Sequence, residues 1–130
     1  MDRSILADEI HNIKEPHHNC AQSVLLAFAD KIDLPKEALF KLASAFGGGM
    51  GNGEAACGAL CGAAIAIGYL HSKKDELAKF AAARVLEAFK QRTGSTICGE
   101  IKGTNTGKPL CSCNDCVKIA AELAQKELGL

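Results

Sequence analysis

The sequence predicts an all-α fold, a single compact bundle of about six helices around a small-residue central helix. Apolar residues make up 48% of the chain but aromatic residues only 5%, and Trp is absent. A core built from Ala, Leu, Ile and Val favours helices that approach one another closely. Apolar residues recur at helical spacing along most of the chain, and no segment alternates as a half-exposed strand does. At 130 residues, the chain suits one helical, cysteine-rich domain over residues 1–130.

Residues typical of helix ends delimit the first three helices. Pro16 stops the first, Asn19 is a good N-cap for the second, Pro35 suits the first turn of the third, and Gly47 ends it. The apolar positions that define their faces are Ile5, Leu6, Ile10 and Ile13, then Cys20, Val24, Leu25 and Phe28, then Leu39, Leu42 and Phe46.

The second half of the chain predicts three further helices. The central helix covers about residues 54–70 and is apolar nearly all round, as expected for an element surrounded by others. Ser72, with Asp75 three residues later, starts a fifth helix that Thr93 and Gly94 close. Its apolar positions are Leu77, Phe80, Leu86 and Phe89. After a short turn near Cys98, a last helix begins around Cys116.

Composition excludes several classes of function. Fifteen basic and fifteen acidic residues cancel, and no basic block or aromatic-basic stripe is present, so nucleic acid is not an expected partner. The N-terminus lacks the charged start and apolar run of a secretory signal. The longest apolar stretch, Cys57–Leu70, falls short of the ~20 residues that a membrane helix needs. These features predict a cytoplasmic protein without a membrane span.

Seven cysteines in a chain of this length predict metal binding or redox chemistry, because a reducing compartment does not favour a disulfide framework. Cys20, Cys57, Cys98 and Cys116 lie in or near the first turns of predicted helices. The free N–H groups and the helix dipole there stabilise thiolate over thiol and lower the thiol pKa. These four are therefore the first candidates for redox thiols or metal ligands.

The other three cysteines are secondary candidates for metal ligands. Cys61 follows Cys57 by one helical turn, and Cys111 and Cys113 form a C-x-C-x-x-C pattern with Cys116. His18 is a weak candidate ligand beside Cys20, because an ordinary interpretation of His17 and His18 is two solvated histidines in a turn. We expect His11 to be a surface residue.

Five glycines within the seven residues GGGMGNG, residues 47–53, precede Cys57. One or two glycines would suffice for a turn. We therefore expect the backbone to approach the cysteine site closely at Gly49, Gly51, Gly53 and Gly58. The string GNGEAA fits a loose dinucleotide-binding pattern, but that pattern requires a preceding strand and here follows a predicted helix. We therefore do not expect a dinucleotide.

Several ordered motifs resemble the redox-active protein family named for its cysteine pattern, C_GCAxxG_C_C. They are NCAQSVLLAF, AFGGGMGNG, CGALCG, FKQRTGSTIC and a final cysteine before a VKIAAEL helix, and they span about residues 17–127. The resemblance implies that Cys20, Cys57 and Cys98 are signature cysteines. It makes Cys116 the favoured fourth, with Cys111 and Cys113 as competitors. It also implies a link to a transporter system.

From these observations we expect the cysteines to converge on one site that binds an iron–sulfur cluster or another thiophilic metal, for electron transfer or redox sensing. Part of the split-Soret cytochrome c is similar to the family, and its related region is linked to such a cluster. One alternative is a metal-free thiol/disulfide exchange protein. Another is a helical binding module stapled by structural zinc. The sequence defines no substrate or redox partner, so enzymatic activity is left open. Whether an alanine-rich surface supports a homodimer is also left open.

Overall fold

A computed structural model describes residues 1–71 and 75–130 and confirms the all-α class. Seven helices, and no strands, form the described part of the chain. The helices are α1 (Arg3–His11), α2 (Cys20–Leu26), α3 (Lys36–Leu42), α4 (Gly58–Leu70), α5 (Asp75–Thr93), α6 (Cys98–Lys102) and α7 (Cys113–Leu128). The short helix α6 replaces what the sequence predicted as a turn near Cys98. The predicted start of the fifth helix at Ser72 lies outside the described residues.

The bundle is held together by small residues on α4 and α7. Helix α4 packs against α2, α5 and α7, while α7 packs against α1, α2, α4 and α5. The small side chains at these crossings are fully buried; they are Ala59, Ala63 and Ala66 of α4 and Ala120, Ala121 and Ala124 of α7. The helix axes can therefore come close, and the cysteines near the helix starts are carried toward one another.

The central helix differs from the prediction in two respects. It begins at Gly58 rather than near residue 54, because residues 55–57 are drawn into a short extended pairing with residues 96–98. It is also not enclosed on every side. Ala64, Gly68 and Tyr69 are exposed, so α4 covers the core with one face and meets solvent with the other.

Caps fix the starts of two helices that carry cysteines. The Asn19 side chain accepts from the backbone N–H of Gln22, and Gln22 reaches back to the backbone of Asn19, which confirms the predicted cap of α2. Helix α7 begins at Cys113 rather than around Cys116, because the Ser112 hydroxyl accepts from the backbone N–H of Asp115 at 3.1 Å. The first residue of the final helix is therefore Cys113.

Two predicted apolar faces are rotated relative to the structure. On α1, Ile5 is exposed, as is Ile13 just beyond it, whereas Ala7 and Arg3 are buried. Arg3 is buried because its guanidinium donates to the carbonyl of Ala27 at 2.8 Å and pairs with Asp30. On α5, the inward positions are Ala81, Val85 and Phe89, while Leu77, Phe80 and Leu86 are exposed. Within the described residues, no helix combines the length and apolarity needed to cross a membrane.

Candidate functional site

The glycine-rich segment before α4 is a run of left-handed backbone. Gly48, Gly49 and Met50 have φ of 65°, 64° and 59°, and Gly51 and Gly53 have 88° and 81°. Glycine adopts this region without the steric cost that a Cβ brings. The segment turns back on itself, and the amide of Ala55 donates to the carbonyl of Gly49 at 3.3 Å. This turn brings the backbone of Gly49 against Cys98.

Cys57 and Cys98 are brought together by a short antiparallel pairing. The amide of Cys57 donates to the carbonyl of Thr96 at 2.7 Å, and the amide of Cys98 donates to the carbonyl of Ala55 at 3.0 Å. Each cysteine stands at a helix start immediately after this pairing: Cys57 is the N-cap of α4 and Cys98 is the first residue of α6. The N-termini of α4 and α6 therefore lie side by side.

Cys20 reaches the same place because α2 crosses α4 at two glycines. A Cβ placed on Gly58 would lie 3.4 Å from the Cβ of Cys20 and 2.9 Å from the carbonyl oxygen of Phe46. One turn later, Gly62 meets the backbone of Ala21. The absence of side chains at these crossings lets the first residue of α2 lie against the start of α4.

The start of α7 supplies the remaining sulfurs. The side-chain amide of Asn114 donates to Asp8 at 2.7 Å and to Asn12 at 3.0 Å, which ties this end of α7 to the end of α1. Cys113 is the first residue of the helix and half-buried, and Cys116 lies three residues further, buried. Both side chains consequently face the cysteines of α2, α4 and α6.

One small cavity collects these side chains. Five cysteines line it together with Gly58, Ile101 and Lys102; the five are Cys20, Cys57, Cys98, Cys113 and Cys116. Its volume is about 10 Å³, room for about one water molecule. Cys61 and Cys111 are outside this lining. Cys61 is half-buried one turn along α4, and Cys111 lines a separate surface groove of about 480 Å³ with Arg92 and Lys118.

Two of the cavity thiols have lowered pKa values. A hydrogen bond from Cys116, assisted by the backbone N–H groups of Ala59 and Leu60, lowers the pKa of Cys57 to about 7 against the opposing effect of burial. A hydrogen bond from Cys20, together with the charge of Lys102, lowers the pKa of Cys113 to about 6. At neutral pH Cys113 therefore favours the thiolate, and Cys57 is close to half ionised.

The expected lowering of the thiol pKa at a helix start was wrong for Cys20, Cys98 and Cys116. The pKa of Cys20 is raised because its thiol donates to Cys113 and because it is buried. The pKa of Cys116 is raised by the hydrogen bond to Cys57 and by burial. Burial raises the pKa of Cys98 and of Cys61. A neighbouring thiolate and lost solvation outweigh the helix terminus at Cys20, Cys98 and Cys116.

Three of the four glycines expected near the site lie against it or against α6. A Cβ on Gly49 would lie 2.6 Å from the Cβ of Cys98, Gly58 lines the cavity, and Gly53 packs against the backbone of Gly99. Gly51 differs, because a Cβ there would meet nothing within 4 Å. Its left-handed backbone serves the turn rather than an approach to the cysteines.

His18 does not line the cysteine cavity. Its Nδ1 atom is 2.7 Å from the carbonyl oxygen of Pro16, and its ring packs edge-on against Phe40 with 5.1 Å between centroids. It is buried, so the expectation of two solvated histidines holds only for exposed His17. His11, expected at the surface, is half-buried.

Lys102 is the charged residue of the cavity lining that sequence reasoning missed. It follows Cys98 by one helical turn, lines the cavity, and favours thiolate at Cys20, Cys98 and Cys113 through its charge. The signal was the i, i+4 spacing of Cys98 and Lys102, which indicates a shared face once residues 98–102 are seen to be helical.

All seven cysteines are free thiols. Across residues 1–71 and 75–130, no three or more His, Cys, Asp or Glu side chains are arranged so that they could hold one metal ion. Neighbouring thiols instead shift one another's pKa values in two pairs, Cys20 with Cys113 and Cys57 with Cys116, and Cys111 adds to the raised pKa of Cys116. The chemistry of the site is therefore that of several convergent thiols rather than a preformed single-ion site.

Comparison with known proteins gives one match. No curated protein and no solved structure matches the chain. A family model described as "Putative redox-active protein (C_GCAxxG_C_C)" matches residues 18–127, a span that contains every cysteine described above. The chain belongs to the C_GCAxxG_C_C family of redox-active proteins.

Proposed function

We propose that this redox-active protein holds an iron–sulfur cluster on Cys20, Cys57, Cys98 and Cys113, and that it transfers electrons or senses redox state. The observation that carries the proposal is the convergence of five cysteine side chains from four helices on one cavity. When bound, such a cluster supplies reversible electron transfer at a potential set by burial, charge and hydrogen bonds to sulfur. Cys113 takes the place that sequence reasoning gave to Cys116, because it is the first residue of α7.

The donor chemistry supports this assignment. Iron–sulfur clusters take cysteine thiolates, and Cys57 and Cys113 both have lowered pKa values. The other lining residues offer one cation, Lys102, and an apolar wall at Ile101. Because thiolate ligands make such a site strongly negative, the Lys102 ammonium lowers the cost of holding it away from water.

The size of the cavity has a structural consequence. With about 10 Å³ between the thiols, the cysteine side chains must move apart before a cluster can fit among them. At Gly58 and Gly49 the backbone itself lies close to the cysteines, and an added side chain would clash there. A single zinc ion gains less support, since the described residues present no group of three ligands for one ion.

Metal-free thiol/disulfide exchange is the second candidate, and the paired thiols favour it. In each pair one pKa is lowered and the other raised, which suits an attacking thiolate and a resolving thiol. The Cys113 thiolate would attack a substrate disulfide and release one thiolate. Cys20, losing its proton, would then attack the Cys113 sulfur and release the second. The substrate gains two electrons and the protein forms one disulfide.

Anaerobic purification followed by iron and acid-labile sulfide assays separates the candidates. The cluster proposal expects iron and sulfide in stoichiometric amounts and absorption between roughly 320 and 450 nm that bleaches on reduction. Colourless, metal-free protein whose thiols oxidise pairwise would replace it with the exchange mechanism. Colourless protein with stoichiometric zinc would overturn both redox mechanisms.

Other expectations stay predictions from the sequence. A cytoplasmic location, a redox partner protein, a homodimer and a link to a transporter system are consistent with the family but rest on no contact in the structure. The family supports redox activity without defining a reaction, and we therefore propose an electron carrier or sensor rather than a named enzyme.

A further inference from the structure

A surface groove much larger than the cysteine cavity adjoins the cysteine site. Its volume is about 420 Å³, within the range of small-molecule sites. Cys20 and Cys113 belong both to its lining and to the cysteine cavity. The other lining residues come from α1, from the segment before α2, from the segment after α3, and from α6; they are His11, His17, Asn19, Ser44, Gly47, Gly48 and Lys102.

Basic side chains outnumber acidic ones in this groove. Lys102, His11 and His17 supply its ionisable nitrogen, no Asp or Glu is among its nine described lining residues, and the Cys113 thiol, with its pKa lowered to about 6, is the acidic group of the lining. The backbone at Gly48 is left-handed, and a side chain there would meet nothing within 4 Å, so the rim is open. Such a lining attracts a small anion rather than a cation.

His11 extends this basic lining at the end of α1. The residue is half-buried, and its solvent-shielded Nδ1 atom has no hydrogen-bond partner in the described part of the chain. Its contribution to the groove is therefore the rest of the imidazole ring and not the Nδ1 atom.

We propose that this groove binds a low-molecular-weight thiol that carries an anionic group. The anionic group lies with Lys102 and the two histidines, and the thiol lies toward Cys20 and Cys113, the two half-buried cysteines of the groove lining. The ligand would bring a thiol to the redox site, and this purpose rests on the redox function proposed above. Binding itself depends only on the groove.

Three probes of nearly equal size test the proposal on the full chain, purified anaerobically and kept reduced. 2-Mercaptoethanesulfonate has both the anion and the thiol, 2-mercaptoethanol lacks the anion, and ethanesulfonate lacks the thiol. Titration calorimetry should show that the first binds about tenfold more tightly than either of the others, as expected when a charge-assisted contact or a sulfur contact is lost.

Matched lysine variants locate the binding. Lys102→Gln should weaken binding of 2-mercaptoethanesulfonate about tenfold, whereas Lys108→Gln should leave it unchanged. Lys108 is a suitable control because it is exposed in the loop after α6 and lies outside the groove lining. Equal affinity for any two of the three probes, or no effect of Lys102→Gln, would overturn the proposal.

Iron assayed in the same samples keeps the two proposals apart. If the probes and variants behave as expected but the protein contains no iron, the cluster assignment fails and the thiol groove stands. If iron is stoichiometric but the probes do not discriminate, the cluster stands and the groove proposal fails.

Discussion

A Cβ atom on Gly62 would lie 2.4 Å from the carbonyl oxygen of Ala21. Helices α4 and α2 therefore touch backbone to backbone at this point. Cys20 precedes Ala21, and Gly58, one turn before Gly62, lies against it. The position of Cys20 in the site thus depends on the closeness of this crossing.

Replacing Gly62 should destabilise the protein. Gly62→Leu cannot be accommodated without moving α2 and is expected to cost about 1–3 kcal/mol. Gly68→Ala is the matched control, since Gly68 is in the same helix and a Cβ there would meet nothing within 4 Å. That change should stabilise the fold by up to about 1 kcal/mol. Thermal unfolding of both variants gives the comparison, and equal melting temperatures would show that the crossing is not tight.

Gly49 controls the position of the Cys98 side chain. Gly49 and Gly48 have nearly the same left-handed φ, 64° and 65°, but only a side chain at Gly49 would strike Cys98. Both alanine variants should lose about 1 kcal/mol through backbone strain. Only Gly49→Ala should also reduce the iron bound per chain, because it displaces a proposed ligand. Equal iron content in the two variants would show that Gly49 does not position a cluster ligand.

The pKa of Cys113 predicts its pH-dependent reactivity. Thiolate is the nucleophile, so the alkylation rate should rise as pH increases through about 6 and level off above that value. In iron-free, reduced protein, brief exposure to iodoacetamide followed by mass spectrometry reports each cysteine separately. Cys20 and Cys116, whose pKa values are raised, should react only at higher pH. A Cys113 midpoint near the ordinary value of about 8.5 would contradict the lowered pKa.

The hydrogen bond from Cys20 is the largest cause of that lowered pKa. Cys20→Ala removes the donor and should move the alkylation midpoint of Cys113 to higher pH, because the thiolate loses a partner that stabilises it. Cys61→Ala is the control, since Cys61 is outside the cavity lining. A midpoint that stays near 6 in Cys20→Ala would assign the shift to the charges of Lys102 and His11 instead.

Local sequence signals predicted much of the fold. Asn19 was identified as the cap of α2, and the structure shows its reciprocal bonds with Gln22. The cap of α7 was missed although Ser112 and Asp115 have the spacing of a capping pair. The irregular turn before α4 could not be placed, since it depends on residues 55–57 pairing with residues 96–98.

The site itself was only partly accessible from sequence. Cysteines at helix starts can be identified one helix at a time, but their convergence depends on contacts such as Gly62 with Ala21, which are remote along the chain. The thiol pKa values were also beyond local reasoning. Cys20 and Cys113 both begin helices, yet their pKa values move in opposite directions because each is the other's hydrogen-bond partner.

Iron content in the variants Cys57→Ser and Cys61→Ser is the most direct test of a cluster at the convergent cysteines. The two residues are one turn apart, but only Cys57 lines the cavity. In anaerobically purified protein, Cys61→Ser should retain the iron and sulfide of the wild type, whereas Cys57→Ser should lose most of both. Equal iron in the two variants, or none in the wild type, would contradict a cluster held at this site.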